Sequence, residues 1–257
     1  MQTALTIAGS DSGGGAGIQA DLRTFQAHGV FGTSAITAVT AQNTMGVRAV
    51  VALSPAMVIA QIDAVADDFS LAATKIGMLA NADIITVVAA ALGRHHLGPV
   101  VIDPVMVAKG GDSLLADDAV AALRDVLLPR ATLITPNIPE AEALTGIRIA
   151  TVADMRAAAQ QLLATGAQAV VIKGGHLDGP ATDVYADRFG IEELTAPRIA
   201  STHTHGTGCT FSSAVAARLA LGDPLKQAVR EAKTYVRRAI ERAPHLGHGH
   251  GPLGLGC

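Results

Sequence analysis

Hydrophobic positions along this chain form two alternating kinds of stretch. Some are short, continuous apolar runs; others are longer segments whose apolar residues recur every three or four positions. Residues 3–8, 100–106, 132–137 and 167–172 are of the first kind and predict buried strands, and residues 74–77 predict a further brief strand. Residues 18–28, 57–67 behind Pro55, 84–92 capped by Asn81, 114–128 and 151–165 predict helices, with a shorter one at 138–144. Residues 31–40 and 47–53 are β-prone on either side of a polar break, which suggests a hairpin or an edge insertion. A second β pair, 182–187 and 191–199, meets near Gly190. A Gly/Thr turn then enters a buried helix at 214–221, and a further helix follows the break Gly222-Asp223-Pro224. With no linker and no internal repeat, this alternation predicts one three-layer α/β domain around a mainly parallel sheet.

Composition narrows the class. The chain has 257 residues, 49% apolar and 16% charged, so it can bury a sizeable core and is not disordered. Aromatic residues make up only 3%, which leaves core volume to Ala, Val, Ile and Leu. A net charge of −3 with no basic run argues against nucleic acid as a partner. The two cysteines, Cys209 and Cys257, form no disulfide framework and suit a reducing compartment. The opening residues lack a basic segment and break into glycine, unlike a signal peptide, and no apolar run reaches membrane-spanning length. A soluble, cytoplasmic protein is expected.

The stretch His205-Gly206-Thr207-Gly208-Cys209 carries the strongest chemical suggestion. Peptide N–H groups at a turn opening a helix, with the helix dipole behind them, make a place for an anion such as a phosphoryl group in transit. Cys209 falls in the first helical turn, where a thiol ionises most readily. A tight turn with an inert, buried Cys explains the same letters. Upstream, residues 10–17 form a glycine-rich loop between a strand and a helix, without a Walker A lysine or the dinucleotide spacing. Asp21 in the following helix either points back at what the loop holds or is a capping or solvated carboxylate. Gln42 and Asn43 suit a heteroaromatic ring with an amino group, or are polar turn residues. Asp103 ends a buried strand, where ligands of open α/β sheets sit, or serves as a cap. Asn137 and Glu140, three apart across a helix start, suit hydrated Mg²⁺ or a helix cap with an acidic first turn. Lys173 leaves a buried strand into a glycine turn and can reach a phosphate. The Gly/His tail at 245–252 reads as a flexible terminus, with adventitious metal binding at most.

These blocks together resemble a known family. Residues 8–21, Thr40-Ala41-Gln42-Asn43-Thr44, Asp103-Pro104-Val105-Met106, Thr135-Pro136-Asn137 with Glu140, Lys173-Gly174-Gly175-His176, His205 to Cys209 and the tail 247–252 occur in one order. Nearly the whole chain is similar to the ribokinase-like superfamily and, within it, to the hydroxymethylpyrimidine/phosphomethylpyrimidine kinases of thiamine biosynthesis. The resemblance implies a three-layer α/β/α ribokinase-like fold. It also implies ATP- and Mg²⁺-dependent phosphorylation of a pyrimidine hydroxymethyl group, then of the resulting monophosphate. By the same resemblance Gln42 reads the ring, with Gly9, Asp21, Met78 and Val105 around it. Asp103 and Glu140 organise Mg²⁺, while Lys173, Asn137 and Thr207 meet the nucleotide. Gly206, Thr207 and Gly208 form the anion hole, and Cys209 stands where the superfamily more often has an aspartate base. Relatives commonly dimerise, which points to residues 31–53 as a contact, and residues 108–113 are the expected lid. Three other readings compete: a pyridoxal/pyridoxine kinase, a Cys-dependent hydrolase with His203 or His205 as partner, and a non-catalytic pyrimidine sensor.

Overall fold

The computed structural model describes residues 1–106 and 117–255. The expected lid, 108–113, and Cys257 lie outside the described residues. The strands are β1 (Thr3–Asp11), β2 (Phe31–Asn43), β3 (Gly46–Ala52), β4 (Leu71–Ile76), β5 (Val100–Ile102), β6 (Leu133–Ile134), β7 (Ala169–Ile172), β8 (Ala181–Asp187) and β9 (Gly190–Ala196). They form a nine-stranded sheet in the order β3-β2-β1-β4-β5-β6-β7-β8-β9. From β2 to β7 neighbours are parallel; β3 at one edge and β8–β9 at the other are antiparallel.

The helices are α1 (Gly17–Ala27), α2 (Pro55–Ala66), α3 (Ala82–Arg94), α4 (Asp117–Ala122), α5 (Ile138–Thr145), α6 (Val152–Leu163), α7 (Thr207–Ala220) and α8 (Leu225–Glu241). Central strands are apolar on both faces, which is why they read as continuous runs rather than alternations. Ala4, Val101, Leu133 and Val171 pack toward α1, α7 and α8 with Phe25, Phe211 and Val229. Leu5, Ile7, Ile102, Ile134 and Ile172 pack toward α2, α3, α5 and α6 with Ile62, Ile85 and Met155. The result is the expected three-layer α/β/α architecture. Alanine-rich α7 (Ala214, Ala216, Ala217 and Ala220 all buried) lets that helix lie close to the sheet, so few aromatics are needed to fill it.

Three details differ from the sequence reading. Strand β2 runs through the polar break to Asn43 and turns tightly into β3, with a register shift between Ala41 and Gln42. The strand expected at 100–106 ends at Ile102, because Asp103 and Val105 bond in a turn (Val105 N–H to Asp103 O, 2.8 Å). In the described part of the helix expected at 114–128, α4 gives way to a π-helical turn, Leu123–Leu127, and a 3₁₀ turn, Leu128–Arg130. Pro129 causes this, since its ring has no N–H to continue the ladder and crowds the carbonyl four residues back.

The tail is a larger correction. Its glycines let the chain lie against the protein rather than swing free. The His250 N–H donates to Thr44 O (2.9 Å), the Gly249 N–H to Thr44 Oγ1 (3.2 Å) and the Gly254 N–H to Ala239 O (2.9 Å). Gly251 O in turn accepts from the His205 N–H at 3.2 Å, and Leu253 is buried. A side chain at Gly249 would meet Thr44 O at 2.2 Å, so the close approach requires glycine.

Candidate active site

The chain leaves β1 to build β2 on one side and β4 on the other, so the C-terminal end of β1 is a topological switch point. A cavity of about 460 Å³ opens there. Gly9 and Ser10 of β1, Gln42 of β2, Lys75 of β4 with Met78 beyond it, Asp103 and Val105 after β5, and Asn137 and Glu140 at α5 line it. Lys173 after β7 and Gly206 to Cys209 at the start of α7 close the ring. Every residue that the family resemblance places at the site is thus gathered there except Asp21, while Asn43 is a turn residue whose Oδ1 accepts the Met45 N–H at 2.9 Å.

Gly206 takes the left-handed conformation (φ 80°, ψ 10°) and caps α7, accepting from the Thr210 N–H at 2.8 Å. The first-turn N–H groups, which no intrahelical carbonyl can take, are presented at the cavity with the positive end of the helix dipole. Beside them Lys173 Nζ pairs with Asp103 Oδ1 at 2.7 Å, and the Thr135 hydroxyl donates to the same oxygen at 3.1 Å. A Cβ at Gly208 would come within 3.1 Å of that ammonium and 3.3 Å of Asp103 Oδ2, so the bare backbone leaves the pair room. Burial alone would lower the Lys173 pKa, but the carboxylates of Asp103 and Glu140 raise it. An anion at α7 therefore meets a fixed cation.

Asp21 is corrected from ligand contact to buried support. It is fully buried, with Lys75 Nζ at 2.8 and 2.9 Å and the hydroxyls of Thr6 and Ser213 donating to it at 2.6 Å each. Two carboxylate oxygens with this many donors have no reason to turn outward. Lys75, the partner that the sequence reading passed over, is the member of the pair that lines the cavity. A lysine within a strand, two residues before Gly77, was its only signal. The ease of ionisation expected for Cys209 is also corrected: burial pushes the thiol up to about 11, with the Lys75 ammonium opposing.

Asn137 and Glu140 form a capping box, in which each side chain accepts the other's backbone N–H at 2.9 and 2.8 Å. Their capping role holds, yet both also face the cavity. Burial pushes Glu140 up to about 7, with Lys173 opposing and Asp103 adding to the rise.

Two further residues emerge from the glycine loop and the α7 turn. Asp11, the last residue of β1, accepts the N–H groups of Gly13 (2.8 Å), Gly15 (3.1 Å) and Ala16 (2.9 Å) and so shapes the loop. His205 Nε2 donates to Asp11 at 2.9 Å, and the carboxamide of Gln42 lies 3.4 Å from the same nitrogen. Burial would raise the Asp11 carboxyl, but His205 and the loop N–H groups outweigh it and hold the pKa low. The His205 ring is thus engaged with Asp11 and Gln42 rather than with Cys209, which removes the support for a Cys209–His205 nucleophile pair.

A second cleft of about 320 Å³ joins the first along Asn137, Lys173, His176, Thr204, Thr207 and Gly208. Its walls are apolar at Pro197, Ile199, Phe211, Val236 and Ile240. Arg198 fastens the loop above it by donating to the carbonyls of Gly175 (2.8 Å), Gly179 (2.9 Å) and Leu177. Asp183 anchors the loop's start, accepting from the Gly174 N–H at 2.9 Å and pairing with Lys233 at 2.6 Å. The two clefts, with an anion site between them, suit a group transfer from one ligand to another.

Comparison with known proteins gives the same picture. Residues 11–254 match the family model described as phosphomethylpyrimidine kinase. The hydroxymethylpyrimidine/phosphomethylpyrimidine kinase of Bacillus subtilis (strain 168) is 54% identical over 251 residues, covering 97% of this chain and 93% of the relative. A thiamine biosynthesis bifunctional protein of Geobacter sulfurreducens is 51% identical over 97% of this chain, which spans 51% of that longer protein. Among solved structures, an ADP complex of Bacillus subtilis pyridoxal kinase superposes with a TM-score of 0.93 at 43% identity, covering 99% of this chain and 97% of that one.

Proposed function

Because the chain belongs to the phosphomethylpyrimidine kinase family, we propose that its joined clefts carry out ATP-dependent phosphorylation of hydroxymethylpyrimidine and then of its monophosphate, for thiamine biosynthesis. The observation that carries the reading is the N-terminus of α7, set with Lys173 on the boundary between the two clefts. The apolar second cleft takes the nucleotide base, and its shared boundary with the first takes the phosphates. Gln42 meets the aminopyrimidine ring over Gly9, Met78 and Val105. In the first transfer the hydroxymethyl oxygen attacks the γ-phosphorus, the bond to the bridging oxygen breaks, ADP departs and the hydroxyl proton passes to Cys209 in its thiolate form, which becomes the neutral thiol. Most of the barrier is lowered by in-line positioning and charge neutralisation, from Lys173 and the α7 N–H groups. In the second transfer the attacking oxygen belongs to an already ionised phosphate and needs no base.

Mg²⁺ fits this site by its donor chemistry. Asp103 and Glu140 are two carboxylates close enough to perturb one another beside the phosphate position, the few-carboxylate set that a hydrated ion accepts. They would hold it through its waters, where it would neutralise phosphate charge. Asn137 and Thr207 meet the nucleotide. The edge pair β2–β3 exposes Val39, Met45, Val50 and Val51, and a homodimer would cover it. No helix among the described residues is long and apolar enough to cross a membrane.

The pyridoxal kinase likeness supports a second reading, in which the ring site takes pyridoxal. ATP consumption with Mg²⁺ and hydroxymethylpyrimidine, its monophosphate or pyridoxal separates the two. Turnover on both pyrimidines is expected, and turnover on pyridoxal alone would move the ring assignment.

A further inference from the structure

Lys75 is a charged side chain with no role in the transfer as described so far. It is fully buried at the wall of the catalytic cavity, on a central strand, where an unpaired ammonium would be costly. Its partner Asp21 ties four elements together: Thr6 of β1, Lys75 of β4, Ser213 of α7 and its own helix α1. Ser213 lies four residues after Cys209 on α7, so the two side chains share one helix face a turn apart. The hydroxyl bond to Asp21 therefore fixes the ammonium alongside the Cys209 turn. The charges around the sulfur are Lys75 from β4, Asp21 from α1, Asp103 beyond β5 and Lys173 beyond β7, with the Gly17 N–H donating toward it.

We infer that Lys75 is a positioning residue for the first transfer, its ammonium held by Asp21 so that it stabilises the thiolate form of Cys209, the form that accepts the hydroxyl proton. This rests on the kinase reading given above. Cys209 is half-buried at the cavity wall, and its thiol resists ionisation because the protein packed around it displaces water; Lys75 is the largest of the groups that oppose that resistance, ahead of the contrary effect of Asp21. Without the cation the thiolate would be out of reach. With the cation alone, unbalanced by Asp21, the thiolate would form more easily still. The pair thus sets the thiol between two extremes, and the two partners act on it with opposite sign.

Opposite signs make the test specific. Iodoacetamide alkylation of Cys209 between pH 7.5 and about 10 reads the thiolate directly, in a Cys257→Ser background that leaves one thiol; this window lies below the thiol's ordinary half-ionisation in the fold. Asp21→Asn should alkylate faster than the parent. The double variant Asp21→Asn/Lys75→Met, which replaces the buried pair by neutral groups and leaves no lone charge, should alkylate on the order of tenfold more slowly. ADP binding by calorimetry certifies that the alkylated population is folded. In the double variant, turnover on the alcohol should fall more than turnover on the monophosphate. Equal alkylation rates in the parent and the folded double variant would overturn the inference, as would slowing by Asp21→Asn. Absence of ATP turnover by the parent protein would instead count against the kinase reading and leave the alkylation result standing.

Discussion

Gly206→Ala is the perturbation whose size the structure determines best. At φ 80° an alanine costs about 1–2 kcal/mol relative to glycine. The steric demand is larger: a Cβ there would stand 1.9 Å from the Gly15 carbonyl oxygen and 3.0 Å from its carbon. Reaching an ordinary contact of about 3.5 Å requires the glycine loop and the α7 turn to part by roughly 1.6 Å. Both segments line the cavity, one under the proposed pyrimidine position and the other at the proposed phosphoryl position. Misplacement of about 1 Å typically costs on the order of a hundredfold in rate, so kcat should fall by that much or more, with a rise in KM for the pyrimidine. Gly222→Ala supplies the control. It sits at the other end of α7 with φ 91° and nothing within 4 Å of its Cβ position. It should lower thermal stability by a similar backbone penalty of about 1–2 kcal/mol and leave kcat unchanged. ADP release measured by a coupled assay, with thermal unfolding alongside, tests both. If Gly206→Ala keeps kcat within about threefold of the parent, the view that the α7 amides organise the transferred group is refuted.

Cys209→Ser should cripple phosphorylation of the alcohol more than that of the monophosphate, measured as separate initial rates; equal losses would remove Cys209 as proton acceptor. Deleting residues 247–257 removes the bonds to Thr44 and His205, so KM for the pyrimidine should rise on the order of tenfold while KM for ATP changes less than about twofold. A parallel rise in both would make the tail a general stabiliser. Burial raises the Glu140 carboxyl to about 7, so its protonated form prevails below that pH and its ionised form, the one proposed to hold Mg²⁺, above it. Mg²⁺ affinity by calorimetry should therefore fall by about tenfold per pH unit below 7 and lose that dependence in Glu140→Gln.

The sequence reading reached the layers and the ring of site residues because both follow local rules. Central strands covered on both faces show as unbroken apolar runs, and the functional blocks end those strands at turns of glycine, proline and asparagine. The β2–β3 hairpin and the capping box at Asn137 and Glu140 were legible for the same reason. What escaped it depends on contacts between distant residues. Asp21 looks like any helix carboxylate until Lys75, fifty-four positions away, is seen to bind it. The helix-start rule made Cys209 an easily ionised thiol, and burial by neighbouring elements reversed the sign. The Gly/His tail has a flexible composition, yet those glycines are what allow it to lie against Thr44 and the His205 backbone. Asp11 and His205 are 194 positions apart and meet only because the glycine loop and the α7 turn face each other across the switch point.

The central claim is that one site performs two successive transfers onto the same pyrimidine. Phosphorus NMR of a single reaction, started from hydroxymethylpyrimidine and excess Mg²⁺-ATP, tests it most directly. The account predicts a phosphomonoester resonance that rises first and then gives way to the two coupled resonances of a diphosphate ester, as ADP accumulates. A spectrum that shows only ATP, while the same preparation phosphorylates pyridoxal, would contradict it.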